Sequence, residues 1–510
     1  MNSVSKNSSN SSIDLETIKA PLRVDDPALA ARIGEGLLAL GYSGDAMREA
    51  VPESAEASTS MKMNHAAIAE RLSTTTALAC LLRAFLLRVA TPEETMRQQV
   101  GEEFFALCDK AGLWTRVDDG GVVGTVVFLE DEGLFLLSDH TSVRRQEIEM
   151  YWVMSIGTST MAVANSIAAR PFPRVLDVCC GSGIQSFYLA RRADQVVAID
   201  RNPRALNYGR FGAAMNGYAN IEFRESDCYS AVEGEEFDLI ACNPPYVMTP
   251  DRQAYYRDGG MGGDRFSERI LRETPAYLSD GGFANMTCDV GTMNGKTSEA
   301  RLREWLAGNG CDVVALGGKK MSAAEYAQSW LKADQGVQVQ TEFERWVAYF
   351  AELGVEEIQN WLVVLRRRSE GGPNWILQDT LPPTRKGHFG HQIARMFACQ
   401  DVLRMSEAEL WKAKLRLAPD MRLQQMVRPE GGRWMADSAK LTFIDGFIQE
   451  YDVEPRTAGL LILHDGTRTS EEVLARLAAE MGEDAEGMRA GWMGYLRHLI
   501  GSGILEPVEE

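Results

Sequence analysis

Two consecutive prolines close an apolar run in this 510-residue chain, in the segment FDLIACNPPY that ends at Tyr246. Pro244 and Pro245 fix two φ angles and remove two backbone N–H donors, so no sheet ladder continues through them. The run before them has the length and composition of a buried strand. Asn243-Pro244-Pro245-Tyr246 is therefore expected to form a rigid corner at a strand's carboxyl end. Open α/β sheets bind their ligands at such ends.

The residues upstream support a ligand site there. RVLDV, from Arg174 to Val178, is a short apolar run that fits a strand buried on both faces of a parallel sheet. It opens into CCGSG, where Gly181 and Gly183 permit a tight turn and close approach of backbone to a ligand. The following helix, from Gln185 to Arg192, lacks the lysine of a P-loop, which disfavours a phosphate cradle. On their own the glycines fit a plain strand-to-helix turn equally well. QVVAID then ends on Asp200, about 20 residues past the turn, where such folds place an acid on ribose hydroxyls. A carboxylate accepts two hydrogen bonds from a diol. Asp227 follows a further strand, IEFRES, and fits either a ligand contact or a turn cap.

In this order the pieces resemble the class I S-adenosylmethionine (SAM)-dependent methyltransferases of the amino-methylating NPPY type, over about residues 150 to 300. The resemblance is nearest to the protein-glutamine N-methyltransferases that modify release factors. It implies a Rossmann-like α/β domain with a seven-stranded sheet, and SAM as co-substrate. Its cofactor-facing residues are Asp177 near the amino group, Cys179 where the family has glycine, Gly181, Gly183, Asp200 on the ribose, Asp227 on the adenine amine, the Cys228 N–H, Asn243, and Thr158 in the segment covering the methionine moiety. Its catalytic residues are Asn243, Pro244, Pro245 and Tyr246. The Asn243 oxygen and the next carbonyl accept both hydrogens of a planar NH₂ group, and the Tyr246 ring stacks on it. A conjugated nitrogen is a poor nucleophile, and such acceptors stabilise charge that appears only in the transition state.

The rest of the chain sets the expected architecture. Residues 1–20 read as a disordered Ser/Asn tail. Residues 21–149 combine helical leucine stripes with the strands GVVGTVVFLE and GLFLLSD, as a helical, winged-helix-like accessory domain. The methyltransferase domain spans 150–368, with a two-helix insertion at 321–353. Residues 369–510 form a C-terminal accessory domain ending in a winged-helix-like module. Thr91-Pro92-Glu93-Glu94 and Thr469 with Glu472 are both predicted capping boxes. His140, next to Asp139, reads as a surface residue. Tyr255, Tyr256 and Arg257 lie in a glycine-rich loop that either closes over a substrate or is simply solvated.

Composition narrows the partners. A net charge of −19 argues against a broad nucleic-acid surface. Nine cysteines show no metal-ligand spacing and fit reduced thiols in a cytoplasm, and no metal is expected. The N-terminus lacks a signal peptide's apolar core, and no stretch is long enough to span a membrane. The expected function is methyl transfer from SAM to a planar nitrogen of a peptide, protein or small molecule. The alternatives are an RNA or DNA base N-methyltransferase and a non-catalytic SAM-binding partner module.

Overall fold

The apolar runs around the Pro-Pro corner form neighbouring strands of one sheet. The computed structural model describes residues 15–52, 64–141, 148–251, 255–331, 339–369 and 373–508. The sheet's strands are β1 (Phe172–Val178), β2 (Ala193–Asp200), β3 (Ile221–Glu225), β4 (Phe237–Cys242), β5 (Leu278–Met293), β6 (Cys311–Ser322), β7 (Val355–Arg367) and β8 (Ile376–Thr380). Their spatial order is β8-β6-β7-β5-β4-β1-β2-β3. The pairs β1–β2, β1–β4, β2–β3 and β4–β5 are parallel, and β7 runs antiparallel to β5. This is a class I methyltransferase sheet, with β8 as one strand beyond the expected seven.

Burial explains why these strands form. Val175, Leu176 and Val178 of β1, and Leu239 to Cys242 of β4, are almost fully buried, as expected of strands covered on both faces. Helices α1 (Thr158–Ser166), α2 (Ile184–Ala190) and α3 (Pro203–Met215) precede or connect the first strands. The segment expected as a two-helix insertion contains α4 (Ala323–Leu331) and α5 (Val339–Leu353).

The chain divides into two compact units. One holds Met1–Val163, Pro171–Val313 and Lys319–Ile376, and the other holds Ala164–Arg170, Val314–Gly318 and Leu377–Glu510. Within the first, the N-terminal helices and hairpins share a core with α3. Ile33, Leu37, Phe85 and Phe128 belong to the same apolar cluster as Ala205, Tyr208 and Phe211. The hairpin Val127–Asp131/Leu134–Ser138 turns at Gly133.

The helix expected to begin at a Thr91 cap starts instead at Glu93, with Pro92 at the cap position and no side-chain cap bond. Thr91 is buried in a two-residue strand paired with Val122, so its hydroxyl is not presented to the helix. The second unit pairs Lys414–Leu417 with Asp465–Thr469 and Leu505–Pro507. Its helices enclose Leu415, Leu474, Leu496 and Leu499, and its Thr469/Glu472 capping box is formed.

Candidate active site

Parallel pairing sets Val178 beside Cys242, so the glycine turn after β1 and the Pro-Pro corner after β4 leave the sheet side by side. They open into a cavity of about 570 Å³ within the first unit. Asp177, Cys179, Gly181, Asp200, Asp227, Cys228, Thr158 and all four residues of Asn243–Tyr246 line it. Gly183 is the one expected site residue outside the lining.

Its glycine has a different task. A side chain at Gly183 would meet the Phe223 ring at 3.0 Å, so glycine there permits α2 to pack on the sheet. At Gly181, with φ of +56°, a Cβ would enter open space, which leaves a cradle above the backbone. Cys179 also takes a left-handed conformation, with φ of +57°, as does Cys228 at +49°. The position where the family carries glycine is thus one that favours glycine.

Asp200 is more constrained than its spacing reveals. Gly181 N–H donates to its Oδ2 at 2.9 Å and Asn202 N–H to its Oδ1 at 2.8 Å, so the acid staples the glycine turn to the end of β2. Each oxygen keeps a second lone pair. Burial raises its pKa, and backbone bonds from Asn202, Gly181 and Arg201 oppose that rise. Asp177 is deeper. Ser186 donates to its Oδ2 through both N–H (3.0 Å) and hydroxyl (2.6 Å). Burial pushes the Asp177 carboxyl up to about 7, against the Ser186 bonds. Asp227 lies exposed at the rim, 3.4 Å from Arg269.

Asn243 is oriented by a residue whose role the sequence did not signal. Its Nδ2 donates to Thr160 Oγ1 at 3.2 Å, leaving Oδ1 buried with no hydrogen-bond partner. Ser159 hydrogen-bonds the Tyr246 hydroxyl, whose pKa is raised chiefly by burial. Thus α1 positions both ends of the corner. Ser182 Oγ and Gln185 Oε1, also in the cavity wall, are likewise buried and unpartnered. Buried polar atoms normally have partners. Orphaned oxygens beside the Gly181 cradle, together with the Asp200 carboxylate, fit a polar cofactor with an amino group and a ribose.

His140, expected at the surface, is 3% exposed and lines the cavity. Its Nε2 lies 3.2 Å from the Leu86 carbonyl, and burial lowers its pKa to about 4. Asp139 beside it is consumed by Arg204, which donates to both carboxylate oxygens. From the glycine-rich loop, Tyr256 stacks edge-on with Trp152 at 5.0 Å, and Arg257 reaches the cavity wall.

The strand order and the cavity fit the class I methyltransferase domain expected from the sequence, and residues 149–286 match the family model described as the methyltransferase small domain. The chain is 38% identical to the release factor glutamine methyltransferase of Xylella fastidiosa over 127 residues, which are 22% of this chain and 46% of that protein. It is 29% identical to the ribosomal protein uL3 glutamine methyltransferase of Xanthomonas campestris over 137 residues, 24% of this chain and 44% of that protein. Similarity extends to the ribosomal RNA small subunit methyltransferase C of Chromohalobacter salexigens, 38% over 109 residues, 21% of this chain and 29% of that protein. The chain thus spans about half the length of the glutamine methyltransferases it matches.

Proposed function

We propose that this protein is a SAM-dependent methyltransferase acting on a planar nitrogen of a peptide, protein or small molecule. The observation that carries this reading is the Asn243 amide in the cavity wall, held through Nδ2 by Thr160 while Oδ1 stays buried without a partner. When bound, SAM supplies an electrophilic methyl group. The chain's own task is to hold the acceptor. Asn243 Oδ1 and the Pro244 carbonyl accept from the NH₂ group, and Tyr246 stacks on its plane. These contacts strengthen as the nitrogen becomes tetrahedral and its hydrogens more acidic. The Gly181 turn, Asp177, Asp200 and Thr158 bind and orient the cofactor in this reading, with Asp227 and the Cys228 N–H at its adenine. Nine free cysteines are consistent with a reducing, cytoplasmic setting.

The named substrates of the glutamine methyltransferase relatives favour a protein acceptor. The ribosomal RNA methyltransferase relative favours a base amine as the second reading, which the net charge of −19 opposes. Methyl-labelled SAM incubated with fractionated extract separates the two, because label in protein or small molecules supports the first and label in RNA the second. Asn243→Ala should lower turnover by about 10²- to 10³-fold, as loss of an oxyanion-hole donor does. Its SAM affinity should remain near that of the wild type. Wild-type turnover in this variant, or abolished SAM binding, would remove Asn243 from the acceptor site.

A further inference from the structure

The carboxylates of the cavity wall already have partners on the cofactor side. Asp139 pairs with Arg204, Asp177 accepts from Ser186, Asp200 from Gly181 and Asn202, and Asp227 from Arg269. Arg257 is different. Its backbone carbonyl accepts from Val247 N–H at 2.9 Å, which ties it to the residue after Tyr246. Its guanidinium carbon lies 5.8 Å from the Trp330 ring centroid and 5.4 Å from that of Trp346. No hydrogen bond or ion pair joins that guanidinium to another described residue. The neighbouring Asp251 is paired with Arg345.

A guanidinium resting on aromatic rings keeps its N–H fork free along its edge, the geometry that matches carboxylate and phosphate oxygens two at a time. Trp346 is 1% exposed and therefore fixed, and Trp330 and Ser329 also line the cavity. All three come from the two-helix insertion, so α4 and α5 supply the platform on which the cation is held. Beside Tyr246 the cavity thus offers aromatic and apolar walls and one unpaired positive group.

We propose that Arg257 reads an anionic oxygen group, a carboxylate or a phosphate, on the methyl acceptor. This rests on the methyl-transfer reading of the cavity and extends it. The acceptor then carries a planar nitrogen for Asn243 and, on the same molecule, an anion for Arg257. The insertion is the element that selects for that anion.

The test uses the full chain saturated with S-adenosylhomocysteine, titrated by calorimetry with benzoate, phenyl phosphate and benzamide. At least one anionic probe should bind about tenfold or more tightly than benzamide, the scale of a charge-assisted hydrogen bond. Which anion binds better identifies the group as carboxylate or phosphate. Arg257→Met, which keeps an apolar stem against the two tryptophans, should erase the preference while S-adenosylhomocysteine still binds. Arg257→Lys should retain part of it. The proposal is overturned if neither anion binds, if benzamide binds as well as both, or if the preference survives in Arg257→Met. Failure of S-adenosylhomocysteine to bind the wild type would instead overturn the methyl-transfer reading.

Discussion

Cys179 and Asp177 show how single residues trade stability for the site. A left-handed residue with a Cβ costs about 1–2 kcal/mol, and a β-branched one fits worse. Cys179→Val should therefore destabilise by about 2 kcal/mol or more, whereas Cys179→Gly should stay within about 1 kcal/mol of the wild type, since relieved strain is offset by a freer unfolded chain. Denaturant midpoints decide this, and equal midpoints for Val and Gly would contradict it. For Asp177, the folded pKa of about 7 stands above its ordinary value of 3.8. The native state thus keeps a proton that the unfolded chain releases across that window. Stability accordingly falls as pH rises from about 4 to 7. A cationic amino group beside the carboxylate would favour its charged form, so SAM affinity should increase as pH rises through about 7, with proton release below it. Calorimetry across about pH 6 to 8 tests this, and flat affinity would place the amino group elsewhere. Motif spacing located Asp177, Asp200 and the Cys179 departure from glycine. The bond from Gly181 to Asp200 and the left-handed backbone at Cys179 depend on how β1 and β2 lie together, which spacing does not encode.

Helix α1 is the element that orients the proline corner. Thr160 holds the Asn243 amide and Ser159 holds Tyr246. Thr160→Val removes the oxygen that accepts from Nδ2 and frees the amide to rotate. A neutral hydrogen bond is worth about 1 kcal/mol, so turnover should fall about fivefold to tenfold. Thr160→Ser should restore it, because the hydroxyl rather than the methyl does the holding. Unchanged turnover in Thr160→Val, measured once an acceptor is found, would count against that role. Legibility differed between elements for a physical reason. Thr469 and Glu472 form the capping box their spacing predicts. Thr91 has the same local signature, but pairing with Val122 pulls it into a strand. A local pattern holds only where no distant partner competes for the same residue, and His140 is buried for the same reason, against Leu86 and His65 far upstream.

At the scale of the molecule's first unit, one buried ion pair binds segments that the sequence keeps far apart. Asp139 accepts from Arg204 Nε at 2.8 Å and Nη2 at 2.6 Å, from the Tyr208 hydroxyl at 2.7 Å and from Val153 N–H at 3.0 Å. Arg204 Nη1 also donates to the Ile18 carbonyl at 2.7 Å. Residue 18, the end of the Leu134–Ser138 strand, the segment before α1 and the first turn of α3 are thereby joined at one point beside the cavity. No periodicity links positions 18, 139, 153 and 204, so this network was invisible in the sequence. Removing one member leaves an uncompensated buried charge, which costs about 3–5 kcal/mol. Asp139→Ala should destabilise the protein by that amount, and Arg204→Met similarly. The double variant should lose much less than the sum, because it buries no unpaired charge and the two groups share one interaction. Chemical denaturation of the three variants measures the coupling. Strict additivity would show that the pair is spectator to folding, whereas strong coupling with SAM affinity weakened in both single variants would show that it also holds the cavity wall formed by Asp139 and Asn202 in place.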